Sequence, residues 1–113
     1  MAKYMEARVV KTHGVRLAAF RDEQEVGRAW LYLLHNDLHT EPFGLLEDVW
    51  VDEKYRSEGI GGELVGVVID RARAEGCYKL IATSRDDGTR DAVHAWYKRL
   101  GFEEWGTEFR MNF

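Results

Sequence analysis

The sequence has few of the features that mark secreted, membrane-bound or multidomain proteins. It contains one cysteine, Cys77, and one proline, Pro42, in 113 residues. A single cysteine cannot form an internal disulfide, and residues 1–6 lack the apolar run of a signal peptide, so we expect a cytoplasmic protein. The longest apolar stretches, such as 29–34, are far shorter than the roughly twenty residues that span a bilayer. We therefore expect no membrane partner.

An excess of positive charge is also missing. The chain has 16 Lys and Arg against 20 Asp and Glu, a formal net charge of −4 and a pI near 5.6. This is the wrong sign for a protein that coats duplex DNA or RNA, so we expect no nucleic-acid partner. What the chain does have is 45% hydrophobic residues, which suits one ordinary core. The prediction is a single domain over residues 1–113.

The first half of the sequence has the pattern of β-strands. Segments rich in β-branched and aromatic residues alternate with short polar or glycine-bearing breaks, the first of which is His13-Gly14. The pattern predicts strands over residues 4–11, 15–20, 26–35 and 43–51. Because the breaks are too short to hold crossover helices, these strands are expected to pair antiparallel.

The second half has helical spacing. Residues 59–75 place apolar side chains three and four positions apart, and Gly76 then ends the pattern, as expected of a helix. A strand is predicted over 78–83, and the helix that precedes it predicts parallel pairing with strand 43–51. A second helix over 89–100 and a final hairpin from 102–105 and 108–113 complete the prediction. The fold class is α/β, with a mixed, mostly antiparallel sheet and two main helices.

A glycine-rich turn lies between predicted strand 43–51 and the first predicted helix. Glycines lack Cβ, so a ligand can approach the main chain closely, and the first N–H groups of a helix have no intrahelical acceptor. Donors at the positive end of a helix suit a phosphate or diphosphate, and Arg56 adds a positive charge. Alternatively, the glycines have a purely structural role as a helix cap and a turn. Their spacing alone does not decide between this role and phosphate binding. The spacing differs from the G-x-G-x-x-G of dinucleotide-binding folds.

Several motifs in the second half occur in an order known from one enzyme family. Residues 56–61, R-S-E-G-I-G, fit the signature Q/R-x-x-G-x-G/A. Residues 46–51 resemble the strand before that signature, 76–80 the turn into the next strand, and 94–102 the closing helix with its FYxxxGF motif. Over residues 15–113 the chain thus resembles the GNAT superfamily of acetyl-CoA-dependent N-acetyltransferases.

The resemblance implies acetyl-CoA as co-substrate and a primary amine as acceptor, with no metal. It implies that acetyl-CoA binds in a cleft between strands 43–51 and 78–83. Main-chain N–H groups would hold its pyrophosphate, and a strand would pair with its pantetheine arm. The amine would attack directly in a ternary complex. The residues it assigns to cofactor binding are Val49, Trp50, Val51, Arg56, Ser57, Glu58, Gly59, Ile60, Gly61 and Gly62.

The resemblance also implies catalytic roles. Tyr97 matches the general acid, and a phenol with an ordinary pKa of about 10 is protonated at neutral pH. The base is Glu47, Asp48 or a chain of waters. Side chains alternate between the two faces of a strand, so Glu47 and Asp48 are expected on opposite faces unless a β-bulge interrupts the alternation. The alternatives remain that Tyr97 is a packed core aromatic and that the carboxylates form surface ion pairs.

The chain also departs from the family pattern. The two helices that family members carry between their first and second strands are missing, since only three residues separate predicted strands 4–11 and 15–20. The side of the cleft that binds the amine acceptor is then open to solvent, or a second copy of the chain completes it in a homodimer. A non-catalytic CoA-binding or interaction module is the alternative function, and a purely structural dimerisation domain is a third.

Three other features have weaker functional readings. His35 and His39 flank Asp37 in a predicted loop without further nearby ligands, so no metal site is expected there. Cys77 is interpreted as a small buried side chain that fills space in the core. Trp30, with Tyr32 and Trp50 on neighbouring strands, is a candidate for either an acceptor pocket or a dimer surface.

Overall fold

A computed structural model describes residues 4–113. The sheet has the strand order β1-β2-β3-β4, in which β1–β2 and β2–β3 are antiparallel and β3–β4 is parallel. The elements are β1 (His13–Arg21), β2 (Gln24–Leu34), β3 (Phe43–Val51), a 3-10 turn (Glu53–Glu58), α1 (Ile60–Ala74), β4 (Leu80–Ala82) and α2 (Asp91–Arg99). This confirms the predicted mixed, mostly antiparallel sheet with two main helices.

β1 and β2 form a tight hairpin. Its two turn residues, Asp22 and Glu23, have positive φ angles of 48° and 72°, which is the backbone that matches the twist of two-residue hairpins. At the other end of β1, His13 pairs with Leu33. The prediction that His13-Gly14 is a break is therefore wrong, because both residues continue the ladder with β2.

The core lies on one face of the sheet, beneath α1. Alternation along β2 buries Ala29, Leu31 and Leu33 on this face, where they meet Val65 and Val68 of α1. Two strand glycines allow close approach of their neighbours: a Cβ on Gly27 would lie 2.9 Å from Leu64, and one on Gly44 would lie 2.9 Å from Leu80. The first contact fixes α1 against β2, and the second fixes β4 against β3.

The opposite face of β2 is aromatic. Trp30 and Tyr32 alternate with the core residues, and their rings stack with centroids 5.8 Å apart and planes 8° apart. Arg28, on the same face, places its guanidinium 5.0 Å from the ring of Trp50 on β3. These side chains are half-buried, in contrast to the fully buried residues toward α1.

Left-handed glycines end both helices, as the sequence predicts. Gly76 has φ 79° and follows α1, and the Cys77 N–H donates to the Ala72 carbonyl at 3.0 Å. Gly101 has φ 104° and follows α2, and the Phe102 N–H donates to the Tyr97 carbonyl at 3.1 Å. Within the described residues, no helix is long and apolar enough to cross a membrane.

Two predicted elements are wrong. Residues 4–11 form no strand and are exposed, because no neighbouring strand of the described chain supplies a hydrogen-bonding ladder. The hairpin predicted from 102–105 and 108–113 does not form either, although these residues alternate as strands do. Residues 4–12 contain no helix either. The prediction that two helices are missing between strands 4–11 and 15–20 loses its first reference point, because strand 4–11 does not form.

Candidate active site

The two parallel strands separate after three residue pairs. β4 pairs with β3 only from Gly44 to Leu46 and ends at Ala82, whereas β3 continues to Val51. The backbone of residues 47–51 therefore has no strand partner on the β4 side. The separation opens a cleft at the carboxyl ends of β3 and β4, the place where ligands bind in many sheets with parallel strands.

A β-bulge lies at the point of separation. Arg28 pairs with Trp50 and Trp30 pairs with Glu47, so Ala29 alone faces two residues of β3, Asp48 and Val49. Asp48 has a φ of 52°, a left-handed conformation that aspartate tolerates better than most residues. The bulge interrupts the alternation of side chains along β3. As a result Glu47 and Asp48 both line the cleft instead of facing opposite sides.

The cleft has a volume of about 610 Å³ and takes residues from four parts of the chain. This size is in the range of pockets for small ligands. It carries charges of both signs: Glu47 and Asp48 stand on β3, Arg85 and Arg90 on the segment before α2, and Glu108 and Arg110 on the C-terminal tail. Val49, Trp96 and Tyr97 also line the cleft.

Tyr97 brings a protonated phenol to the cleft. Its half-buried ring meets Phe102 edge to face, with centroids 5.4 Å apart, and Trp96 at 5.1 Å. Burial raises the pKa of Tyr97, and the negative charge of Glu47 raises it further. The phenol therefore keeps its proton at neutral pH and can donate it. Glu47 and Tyr97 both line the cleft.

The raised pKa of Tyr97 predicts a loss of stability in alkaline solution. Below pH of about 10 the phenol is neutral in both the folded and unfolded states, so it adds no pH dependence. Above that pH the unfolded chain releases the proton while the folded chain retains it, and the free energy of unfolding falls as pH rises through the folded pKa. Urea unfolding at a series of alkaline pH values will measure this fall.

Tyr97→Phe is expected to flatten that alkaline profile. The Tyr97→Phe protein and the protein that keeps Tyr97 are both prepared with Cys77→Ala. The Cys77 thiol would otherwise add its own alkaline pH dependence, because burial and, to a smaller extent, the charge of Glu75 raise its pKa. Tyr4→Phe removes the same hydroxyl from an exposed position and serves as the control. An equal alkaline fall in the Tyr97→Phe protein would show that Tyr97 is not the group that titrates.

The glycine turn forms the start of α1. Gly59 has φ 81° and ψ 8°, which ends the 3-10 turn and begins α1 in a conformation that favours glycine. No side chain caps the helix, so its first N–H groups are left for water or a ligand. A Cβ on Gly59 or Gly62 would meet no atom within 4 Å. The turn thus offers backbone donors beside open space, an arrangement that fits a diphosphate.

The side chains around the turn have structural partners. The Arg56 Nε donates to the Val51 carbonyl at 3.0 Å and ties the turn to the end of β3. Glu58 accepts from Arg21 of β1 at 2.7 Å, on the surface. Ser57 is exposed. Any anion at the turn would therefore rely more on backbone N–H groups than on these side chains.

Trp96 connects the turn with the cleft. A Cβ on Gly61 would lie 3.4 Å from the Trp96 ring and 3.6 Å from Val51. Glu47, Asp48, Val49 and Tyr97 are thus brought together in the cleft, whereas the turn lies on the other side of Trp96. Among the predicted site residues, those that do not line the cleft are Trp50, Val51, Arg56, Ser57, Glu58, Gly59, Ile60, Gly61 and Gly62.

Sequence reasoning did not find every residue of this site. Trp96 has the helical spacing of a core residue, and nothing in the sequence distinguishes a ring that also walls a cleft. Glu108 and Arg110 fall in the predicted final hairpin, for which the sequence indicates no functional role. The sequence indicates the bulge at Asp48 only weakly, by an aspartate within an otherwise apolar strand. Residues 4–113 contain no group of three or more His, Cys, Asp or Glu side chains placed to hold a metal ion.

Comparison with known proteins identifies the family. The model of the acetyltransferase (GNAT) family matches residues 1–102. The chain belongs to this family. Its relatives include the aminoglycoside N(6')-acetyltransferase type 1 of Stenotrophomonas maltophilia, which is 33% identical over 93 residues. The alignment covers 80% of this chain and 60% of that enzyme.

Two further GNAT proteins show the same relationship. The glucosamine 6-phosphate N-acetyltransferase of Trypanosoma brucei brucei is 33% identical over 69 residues, which are 61% of this chain and 44% of that enzyme. A putative acetyltransferase from Agrobacterium tumefaciens str. C58 superposes with a TM-score of 0.81 at 27% identity, over 88% of this chain and 68% of that one. The chain thus spans 60% and 44% of the length of the two curated relatives.

Proposed function

We propose that this protein is an N-acetyltransferase that moves an acetyl group from acetyl-CoA to a primary amine. The observation that carries the proposal is the cleft between β3 and β4, which is lined by both Glu47 and Tyr97 and lies near an uncapped glycine turn. Family membership supports acetyl-CoA as the donor. The domain is proposed to extend over residues 1–113.

In this proposal the backbone carries most of the cofactor binding. The N–H groups of Gly59, Ile60, Gly61 and Gly62 would hold the diphosphate, helped by the positive end of α1. The strand backbone at Val49, Trp50 and Val51, which has no β4 partner, would pair with the amide-containing arm. Arg56 and Glu58 act indirectly, because Arg56 braces the turn on β3 and Glu58 pairs with Arg21. Ser57 contributes through its backbone.

Acetyl-CoA supplies an activated thioester, and the chain supplies the proton transfers. The amine nitrogen forms a bond to the acetyl carbon, and the carbon–sulfur bond breaks. Tyr97 donates a hydrogen bond or its proton to the departing sulfur. Because a phenol is less acidic than a thiol, whose ordinary pKa is about 8.5, the raised pKa favours hydrogen-bond stabilisation over early proton release. Glu47 accepts the proton of the attacking amine, directly or through water, with Asp48 beside it.

The proposed acceptor class is an amine on a sugar. The two curated relatives are named for acceptors of this kind, an aminoglycoside and glucosamine 6-phosphate. Glu47 and Asp48 would attract a protonated amine to the cleft, and Arg85 and Arg90 would suit anionic groups. We also propose that the protein acts as a homodimer, given its exposed aromatic side chains, and that it is cytoplasmic, given its single cysteine.

A panel of amines tests the proposed activity. The protein is mixed with acetyl-CoA and, separately, an aminoglycoside, glucosamine 6-phosphate and spermidine, and release of free thiol is followed. We expect sustained thiol release with an amino sugar and little with spermidine. Acetyl-CoA without amine is the control for hydrolysis. If no amine raises thiol release above that control, the enzymatic proposal is wrong.

The alternative is a non-catalytic CoA-binding or interaction module. The absence of a helix within residues 4–12 favours it, because the acceptor side of the cleft then has less wall. The two functions differ in one pair of measurements. A module would show a higher melting temperature with acetyl-CoA and no thiol release with any amine, whereas the enzyme would show both effects.

A further inference from the structure

Residues 4–11 form an arm that leads into β1 without a turn or a bend. Arg8 of the arm forms an ion pair with Asp37, which lies beyond the last residue of β2. The arm therefore runs past the end of the sheet and makes no backbone hydrogen bond within residues 4–113. Met5 and Val9 are 92% and 96% exposed. Apolar side chains of the arm are thus held in water beyond the sheet.

The outer edge of β1 lacks a partner as well. β1 is the first strand in the order β1-β2-β3-β4, and the described chain supplies no strand on its other side. An unpaired edge strand exposes backbone donors and acceptors and is a template for pairing with another chain. The arm of the same chain does not fill this edge, because His13 and Gly14 already continue the ladder with β2 and leave no turn residues for a hairpin.

A groove with mostly apolar walls lies along the same edge. It has a volume of about 220 Å³ and separates the end of β1 from α1. Its apolar lining includes Leu17, Ala19, Val26, Ile60, Leu64 and Val67. Val67 is 50% exposed, although the neighbouring Val68 is fully buried. A strand laid on the outer edge of β1 would place the side chains of one of its faces over this groove.

The arm of a second copy fits this edge in one two-fold register. When residues 4–20 of two copies run antiparallel with Thr12 opposite Thr12, odd positions stand opposite odd positions and share one face. On β1 this is the face of Val15 and Leu17, which pack against the core. The apolar pairs on this face are Met5 with Ala19, Ala7 with Leu17 and Val9 with Val15. The register thus carries the apolar side chains of the arm onto the core face and the groove.

On the opposite face the register contains one pair of like charges, and both already have acidic partners. The pairs on this face are Tyr4 with Phe20, Glu6 with Ala18, Arg8 with Arg16 and Val10 with Gly14. Arg8 pairs with Asp37, and Arg16 pairs with Glu25. At the axis, two threonines directly opposite each other are a favourable cross-strand pair.

Neighbouring registers fit less well. Moving the second copy by two residues in one direction places Val9 opposite His13 and Lys11 opposite Lys11. Moving it in the other direction places Met5 opposite Arg21. Like charges directly opposite each other are destabilising, and a charged side chain beside Met5 would lose the apolar contact at the groove. The side chains therefore favour the register with Thr12 at the axis.

The surface involved is large enough for a stable dimer. Residues 4–20 of each copy, together with the α1 wall of the groove, amount to about 20 residues, against the 20–30 residues a side of stable interfaces. Main-chain hydrogen bonds along an added strand supply affinity, and alternate side chains supply specificity. A contact between identical surfaces about a two-fold axis is also the commonest arrangement of homodimers.

We propose that two copies of this chain exchange their arms, so that residues 4–11 of each copy pair antiparallel with β1 of the other about an axis at Thr12. The partner is a second copy because every chain carries both the arm and the edge that fits it, while the two do not meet within one chain. The exchange joins the two sheets at β1, the edge opposite β4, and leaves the cleft between β3 and β4 open. The inference rests on the homodimer within the proposed function and is independent of the chemistry proposed there.

A disulfide at the axis tests the register. Residues directly opposite each other in antiparallel strands have Cα atoms about 4.5–5.5 Å apart, which suits a disulfide. Thr12→Cys, prepared with Cys77→Ala, should therefore form a dimer of twice 13.1 kDa under mild oxidation, as seen by electrophoresis without reductant. Lys11→Cys in the same Cys77→Ala protein is the matched control. Its two copies would be about 7–8 Å apart on the diagonal, too far for efficient crosslinking.

A charge on the arm tests the affinity. Val9→Asp places a carboxylate opposite Val15 in both halves of the dimer and should weaken the dimer at least about 30-fold. Sedimentation equilibrium without ligand gives the mass, 13.1 kDa for one chain and twice that for two. Phe109→Asp is the matched control, because Phe109 is 93% exposed and lies outside the proposed contact. This control should remain dimeric.

Four results would overturn the proposal. The first is a natural protein of 13.1 kDa at micromolar concentration, and the second is a Thr12→Cys protein that crosslinks no faster than Lys11→Cys. The others are a dimer that Val9→Asp leaves intact and a dimer that Phe109→Asp dissociates. Circular dichroism checks that the variants fold, which the exposure of Val9 favours. Because no acetyl-CoA is present, failure of the arm exchange is distinguishable from failure of the acetyl transfer.

Discussion

Replacing Tyr97 by Phe is expected to lower kcat by about 100- to 10,000-fold, the usual contribution of a positioned general acid. Affinity for acetyl-CoA should change little, because the proposed cofactor contacts come from the backbone of β3 and the turn. Phenylalanine keeps the packing against Phe102 and Trp96, so the fold should be preserved. Steady-state rates with an active amine and calorimetric titration of acetyl-CoA separate the two effects.

The control for this experiment is a tyrosine outside the cleft. Tyr78→Phe removes the same hydroxyl from a ring that stacks on His39, away from the cleft residues, and should leave kcat unchanged. If Tyr97→Phe retains the rate of the natural protein, Tyr97 has only a packing role. If it raises KM without lowering kcat, it acts in binding instead of catalysis.

The second large effect is expected at Gly62. Gly62→Glu should weaken acetyl-CoA binding at least about 100-fold, because a carboxylate within about 4–6 Å of a diphosphate costs several kcal/mol at the dielectric of a protein surface. The substitution has room, since a Cβ at this position meets no atom within 4 Å. A negative charge in the first turn of a helix is also favourable, so the helix should remain folded.

Gly66→Glu is the matched control for Gly62→Glu. It adds the same side chain to the same helix, one turn further from the N-terminus, again with no atom within 4 Å of the added Cβ. It should bind acetyl-CoA far better than the Gly62 variant. Equal losses at both positions would show that general charge or helix damage, and not the turn, controls binding. Unchanged affinity in Gly62→Glu would remove the turn from the site.

The sequence allowed prediction of the elements whose patterns are satisfied within the chain. The alternation of Ala29, Leu31 and Leu33 against Trp30 and Tyr32 predicts β2, because a single core lies on one side of it. The spacing in residues 59–75 and the glycine at 76 predict α1 with ends within one or two residues. The parallel pairing of β3 and β4 follows from the helix between them.

The sequence could not predict features that depend on a neighbour. Residues 4–11 and the tail have strand composition, but strand formation requires a ladder partner, which the described chain does not provide. The family resemblance predicts the place of the cleft, between β3 and β4. Its lining depends on where β4 stops and on the bulge at Asp48, and both are set by packing more than by local preference. For this reason strand alternation placed Glu47 and Asp48 on opposite faces, whereas both line the cleft.

Amide NMR during titration with coenzyme A tests the central claim most directly. The protein is 13.1 kDa, a size at which individual backbone N–H signals are resolved. We predict that the N–H signals of Gly59, Ile60, Gly61 and Gly62 move most, together with those of residues 47–51 on β3. A saturating titration that leaves these four signals in place, or that shifts only signals elsewhere in the chain, would contradict the account.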